Sequence, residues 1–125
     1  MPVSAPASLC MAADSSANGA PVFAAPCDDT TARKVWTLPQ PGHGNSGSYK
    51  IDFGTDGSGP IKCLDVKDGV NAPGTKLQLW DCTQGPNQQW LPSTATIRWD
   101  GIAQNFPMCV DLTDGVTTRG NQVRL

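Results

Sequence analysis

Short stretches in which polar and apolar residues alternate recur along the chain. Residues 49–53 and 96–99 alternate throughout, and residues 76–80 begin in the same way. A period of two is typical of strands that bury one face. The dipeptides Asp68-Gly69 and Asp114-Gly115 are typical of tight turns between strands. Because no segment has a convincing helical period, the pattern predicts an all-β fold of short strands.

The strand-rich segments belong to a sequence repeat. Residues 63–90 (the second copy) and 109–125 (the third copy) align without a gap until the chain stops, and residues 10–36 form a degenerate first copy. The matched pairs are Cys63 with Cys109, Asp65 with Asp111, Asp68-Gly69 with Asp114-Gly115, and Gly74 with Gly120. The spacing of about 50 residues is typical of repeat architectures. Three such copies in one small chain favour a threefold barrel, since closure leaves no exposed sheet edge.

The composition limits the chain to a few classes of protein. Its 125 residues are enough for one domain, and 13 glycines and 11 prolines suit short strands joined by turns. A net charge of −2 gives no basic surface, so no nucleic-acid partner is expected. No apolar run reaches the ~20 residues of a membrane span, so we expect no membrane insertion. Five cysteines without a C-x-x-C pair indicate a disulfide framework and hence a secreted protein.

Three motifs of the second copy resemble those of a known family. Cys-Leu-Asp at 63–65, Leu-Gln-Leu-Trp-x-Cys at 77–82 and Asn-Gln-Gln-Trp at 87–90 are similar to the ricin B-type lectins, β-trefoils of three Q-x-W repeats. The family includes fungal lectins and modules attached to glycoside hydrolases. The resemblance implies a single β-trefoil domain over residues 1–125, with repeats at about 1–46, 47–93 and 94–125 and the third truncated at the C-terminus. It also implies the disulfides Cys10–Cys27 and Cys63–Cys82, and core positions for Trp36 and Trp90.

The main functional implication of the resemblance is one galactose-type pocket in the second copy. Asp65 would accept hydrogen bonds from two neighbouring sugar hydroxyls, and Asn87 would donate to one of them. Trp80 would stack on the apolar face of the sugar ring. Gln88 would hold Asp65 in orientation, and Gln78 would line the rim. Taken singly, Asp65 is better explained as a turn residue and Trp80 as a core residue, but their joint spacing favours the pocket.

The other two copies depart from this pattern. In the first copy, Ala12 replaces the Asp, Ala25 the aromatic residue and Arg33 the Asn, so no sugar site is expected there. The third copy keeps Asp111 but has Arg124 at the position of Gln78, and the sequence stops one residue before the aromatic position. Asp111 therefore marks at most a partial second site.

The sequence is also compatible with functions other than a free lectin. The favoured function is non-catalytic binding of galactose- or N-acetylgalactosamine-type glycans and glycoproteins, without cofactor or metal. The alternatives are a carbohydrate-binding module split from a glycoside hydrolase, or a trefoil protease inhibitor. Catalysis is not expected, because glycosidases need two carboxylates at a fixed separation and the chain offers only the adjacent Asp28-Asp29. The single histidine, His43, lies in a loop by composition.

The third copy raises a question about the extent of the folding unit. By alignment with the second copy, an aromatic residue, a cysteine that pairs with Cys109 and an Asn-Gln-x-Trp strand would follow Leu125. A barrel without that strand leaves backbone donors and acceptors unpaired on its neighbours. We therefore expect a further chain segment, or a second chain in a homodimer, to complete the third repeat.

Overall fold

The described part of the chain is built from short strands. The computed structural model describes residues 8–30, 33–38, 47–53, 59–92, 96–101, 108–116 and 118–125. These residues form ten strands and three single 3-10 turns and no α-helix, which confirms the predicted all-β class. His43 lies outside the described residues. The strands are β1 (Leu9–Ala12), β2 (Phe23–Pro26), β3 (Trp36–Thr37), β4 (Lys50–Asp52), β5 (Ile61–Val66), β6 (Leu77–Asp81), β7 (Trp90–Pro92), β8 (Ile97–Trp99), β9 (Asp111–Leu112) and β10 (Val123–Arg124).

All strand pairs are antiparallel, and each copy contributes one equivalent hairpin. The hairpins are β1–β2, β5–β6 and β9–β10, and the second is part of a four-stranded sheet in the order β3-β4-β5-β6. Their registers correspond, because Cys10 lies opposite Ala25 in β1–β2 as Cys63 lies opposite Trp80 in β5–β6. Asp111 likewise lies opposite Arg124, as Asp65 lies opposite Gln78. The three copies therefore present corresponding side chains at corresponding places.

The two Asp-Gly dipeptides form tight turns, as predicted. Asp68 and Gly69 have φ of 56° and 63°, and Asp114 and Gly115 have φ of 54° and 66°. Consecutive positive φ values define a type I′ turn, which Asp and Gly tolerate best. Neither turn joins two strands directly, because each lies at the start of a longer connection. In the second copy, Lys67 N–H donates to Lys76 O at 3.1 Å across the base of this connection.

A ring of backbone hydrogen bonds ties the three hairpins together. Three glycines at corresponding turns, with φ of 87° to 94°, each donate an N–H to a backbone carbonyl in or directly after the second strand of the next hairpin. The pairs are Gly19 with Leu79 O (2.8 Å), Gly74 with Leu125 O (2.9 Å) and Gly120 with Ala24 O (2.9 Å). Because the third copy contacts the first, the ring of hairpins closes with threefold character.

The core is centred on the second copy. Trp90 is fully buried and its indole N–H donates to Leu64 O at 3.0 Å. Trp36 makes the corresponding bond to Met11 O at 2.9 Å, but it is only half-buried at the edge of the core. Its predicted core position is thus only partly realised. The other large buried apolar side chains of the described residues include Tyr49, Ile51, Leu64, Leu77, Leu79 and Trp99.

Two disulfides fasten the hairpins of the first and second copies. Cys10 pairs with Cys27 and Cys63 with Cys82, as predicted, with Cα–Cα distances of 5.2 and 5.1 Å. Cys109 is a free, partly buried thiol. Within the described ranges, no helix combines the length and apolar character needed to cross a membrane.

Candidate functional site

An open pocket of about 350 Å³ lies beside the β5–β6 hairpin. Its lining residues are Asp65, Asp68, Gln78, Trp80, Thr83, Gly85, Pro86 and Asn87. Because side chains two residues apart share one face of a strand, β6 presents Gln78 and Trp80 together, and the register brings Asp65 opposite Gln78. The structure thus places four of the five predicted site residues around one cavity. The fifth, Gln88, lies behind Asp65.

The carboxylate of Asp65 is held in one orientation by two amides. Only 5% of the residue is exposed. Gln78 Nε2 donates to Oδ1 at 3.1 Å, and Gln88 Nε2 donates to Oδ2 at 3.0 Å. Burial raises the pKa of Asp65 above its usual value, the two amide hydrogen bonds oppose this shift, and the charge of Asp68 adds to it. Each oxygen has a further lone pair for a donor from the pocket.

Gln88 satisfies its whole amide inside the protein. It is fully buried on the 3-10 turn Pro86–Gln88. Its Nε2 donates to Asp65 and to Asp81 O at 2.8 Å, and its Oε1 accepts from Thr83 N at 2.9 Å. The side chain therefore couples the carboxylate of Asp65 to the backbone at the end of β6 and just after it, and it is not among the residues that line the pocket.

Trp80 supplies the flat apolar surface of the pocket. It is 40% exposed, whereas Trp90 and Trp99 are fully buried. A partly exposed indole beside a carboxylate matches what a sugar requires, since C–H groups cover one face of the ring and hydroxyls its edge. The exposure of Trp80 also excludes the alternative that it is a core residue.

Asn87 is positioned by contacts on two sides of its turn. On one side lies Gly69, where a Cβ atom would come within 2.8 Å of Asn87 Oδ1. On the other side Trp99 Nε1 donates to Pro86 O at 2.9 Å. Gly101 allows this approach, because a Cβ there would lie 1.6 Å from Pro86 O. The second-copy turn thus depends on residues that follow it by more than ten positions.

Several of these residues were not anticipated from the sequence. Asp68, Thr83, Gly85 and Pro86 line the pocket in addition to the predicted set. The Asp-Gly dipeptide was a visible signal for a turn at residue 68, but nothing in the sequence showed that this turn faces the pocket. The hydrogen bond from Trp99 to Pro86 O depends on tertiary packing, and no local sequence pattern predicts it.

The corresponding positions of the other copies form no similar arrangement among the described residues. In the third copy Arg124 Nε lies 3.3 Å from Asp111 Oδ2, and its Nη2 lies 3.5 Å from Asp114 Oδ1. Asp111 borders a separate, mainly apolar cavity of about 160 Å³. In the first copy Ala12 is fully buried, and Arg33 Nη2 donates to Phe53 O at 3.1 Å. The described ranges contain no group of three His, Cys, Asp or Glu side chains suited to a metal ion.

Comparison with known proteins gives a match over most of the chain. The model of a family described as "Ricin-type beta-trefoil lectin domain-like" matches residues 32–125. "Serine protease 1" of Rarobacter faecitabidus is 59% identical over 29 residues, which are 23% of this chain and 5% of that protein. The chain therefore corresponds to only a small part of that relative's length. No solved structure matches.

Proposed function

Because the chain belongs to the ricin-type β-trefoil lectin domain-like family, we propose that it is a non-catalytic lectin with one galactose-binding pocket. The ligands are glycans and glycoproteins that end in galactose or N-acetylgalactosamine. The observation that carries this proposal is the joint placement of a buried, oriented carboxylate and a partly exposed indole, Asp65 and Trp80, in one open cavity.

Each pocket residue has a role that follows from its position. Asp65 accepts hydrogen bonds from two neighbouring hydroxyls, and its charge makes these bonds stronger than neutral ones. Trp80 stacks on the C–H face of the ring. Asn87 donates its amide to one of the same hydroxyls, while Gln78 lines the rim and Gln88 positions the carboxylate from behind. The pairing of hydroxyl edge and apolar face fits a pyranose sugar, and the choice of galactose-type ligands rests on the similarity to the ricin-type lectins.

A single shallow pocket implies weak binding. We expect a dissociation constant of about 1 mM, or about −4 kcal/mol, for the free monosaccharide. Useful affinity then depends on several copies of the protein, or of the sugar, on one surface. The two disulfides support a secreted location for such a protein, since disulfides persist in oxidising compartments.

A second candidate is a carbohydrate-binding module within a larger enzyme. The short, strong similarity to a protein named as a serine protease, of which it covers 5%, favours this candidate, because it places related sequence beside a catalytic chain. Sugar binding by the pocket is common to both candidates. The length of the natural protein, read from the mass of the material isolated from its source, distinguishes them.

A glycan array with free galactose as competitor tests the proposal. The parent protein should bind galactose-terminated glycans, and free galactose should displace it from them. Asp65→Ala should bind none of these glycans while keeping the circular dichroism spectrum of the parent. Asp14→Ala, which removes an exposed carboxylate of the first copy, is the control and should bind like the parent. Equal binding by Asp65→Ala and its parent would show that the pocket is wrongly assigned.

A further inference from the structure

The pocket holds two carboxylates and no cation. Asp68 lies three residues after Asp65 at the mouth of the same cavity, with its side chain exposed. None of the eight described lining residues is Lys, Arg or His. Gln78, the residue opposite Asp65, is a neutral amide. The negative charge that faces the pocket is therefore not balanced by any side chain that lines it.

The third copy shows how the protein itself satisfies an equivalent pair of carboxylates. Asp111 and Asp114 correspond to Asp65 and Asp68, and both turns have nearly the same backbone, with φ of 54° at Asp114 and 56° at Asp68. Arg124, at the register position of Gln78, extends its guanidinium to both acids, at 3.3 and 3.5 Å. A cation thus lies between the two carboxylates in the copy that has no sugar pocket, whereas in the second copy the equivalent residue is the neutral Gln78, whose amide reaches only Asp65 in the bonds described.

We propose that the ammonium group of an amino sugar takes this position, and that Asp68 makes the pocket select hexosamines with a free 2-amine. The inference rests on the proposed function, because it concerns the same pocket. In this proposal the two neighbouring hydroxyls that Asp65 binds adjoin carbon 2, which brings the amine towards the second carboxylate. Asp68 is then a specificity-determining residue that contributes little to the binding of neutral galactose.

The physical basis of the selection is charge pairing at a partly exposed site. Ion pairs of this kind are modest in water and are screened by salt. We expect 2-amino-2-deoxygalactose to bind about two- to fivefold more tightly than galactose at low salt. N-acetylation removes the charge and with it the preference, and a carboxylated sugar such as galacturonic acid is disfavoured by repulsion from both acids.

Calorimetric titration with methyl glycosides of galactose, 2-amino-2-deoxygalactose and N-acetylgalactosamine tests the proposal. At about pH 6 the amine is protonated. Asp68→Asn removes the charge and suits the left-handed backbone, since Asn tolerates positive φ. It should lower the amine:galactose affinity ratio towards one, with the affinity for each glycoside measured separately. Asp114→Asn, the matched change in the third copy, should leave the ratio at its parental value.

Salt provides a second readout that a change in folding does not reproduce. In 1 M NaCl, where screening acts within about 3 Å, the ratio for the parent should approach one. If the parent binds galactose but shows the same affinity for the amino sugar at low salt, or if Asp68→Asn keeps the preference, the inference is wrong and the proposed function stands. If the parent binds none of the three glycosides, the proposed function itself fails.

Discussion

The substitution Gln88→Met removes a buried amide while keeping a side chain of similar length and volume. In the parent, this amide donates to Asp65 and to Asp81 O and accepts from Thr83 N. Methionine can make none of these bonds, so three polar partners lose their contact at once. The variant therefore tests whether Gln88 positions the carboxylate of the pocket or merely fills space in the core.

The expected loss of unfolding free energy follows from the three bonds. A hydrogen bond to a charged carboxylate contributes about 1.5–3 kcal/mol, and a neutral bond about 0.5–1.5 kcal/mol. Water can replace the two backbone bonds in part, because Asp81 and Thr83 are exposed residues. The sum is a loss of about 2–4 kcal/mol, a large share of the ~5–15 kcal/mol that holds a domain of this size.

The substitution also acts on the protonation of Asp65. The hydrogen bond from Gln88 lowers the pKa of this carboxyl, against burial, which raises it. Its loss should move the pKa of Asp65 further up. Because the ionised carboxylate accepts the sugar hydroxyls, galactose binding by Gln88→Met should fail at a higher pH than binding by the parent.

Urea unfolding and the pH dependence of galactose binding measure both effects. The control is Gln89→Met, which removes the neighbouring amide and its single exposed bond to Gln84 O at 2.8 Å. This control should cost less than about 1 kcal/mol and leave the pH midpoint of binding unchanged. If Gln88→Met costs no more than Gln89→Met, or if the midpoint of binding stays at the parental pH, the positioning role assigned to Gln88 is refuted.

Three further predictions concern the aromatic residues, the pH dependence of the parent and the disulfides. Trp80→Ala should weaken galactose binding tenfold or more, about 1.4 kcal/mol, with little loss of stability. Trp90→Ala should instead cost about 3–5 kcal/mol of unfolding free energy. Calorimetry measures the binding and urea unfolding the stability, and equal stability losses would contradict the assignment of Trp80 to the pocket and Trp90 to the core. As the pH falls below the raised pKa of Asp65, galactose binding should drop about tenfold per pH unit. In the same interval Asp65 does not promote acid unfolding, because a folded-state pKa above the unfolded value makes the folded state bind the proton more tightly; acid unfolding that coincides with the loss of binding and disappears in Asp65→Asn would contradict this sign. Cys82→Ser should cost about 3 kcal/mol and Cys109→Ser less than about 1 kcal/mol, and a non-reduced digest that links Cys27 to Cys63 would contradict the pairing.

The fold class and the family were predictable from three features of the repeat, namely its motifs, its turn dipeptides and the alignment of its copies. The family match confirms the ricin-type β-trefoil that the motifs at 63–90 implied. Turn chemistry is local, so the Asp-Gly turns were visible in the sequence. The register of the hairpins followed from the alignment, which placed Ala25 at the position of Trp80 and Arg124 at that of Gln78.

The parts that escaped prediction depend on contacts between copies. The ring in which Gly19, Gly74 and Gly120 each bond to the next hairpin is invisible to any analysis of one copy alone. The support of Pro86 by Trp99 comes from a strand that the sequence marked only by alternation. The half-burial of Trp36 depends on how much apolar surface its neighbours supply, which its repeat position does not reveal.

A galactose titration followed by the side-chain N–H resonances of ¹⁵N-labelled protein tests the central claim most directly. The account predicts that the indole N–H of Trp80 and the side-chain amides of Gln78 and Asn87 shift together, with a common dissociation constant of about 1 mM. The indole N–H of buried Trp90, which is bonded to Leu64 O, should not move. Saturable shifts confined to resonances remote from these three side chains, or no saturable shift with galactose at ten times that concentration, would contradict a galactose-binding pocket at this site.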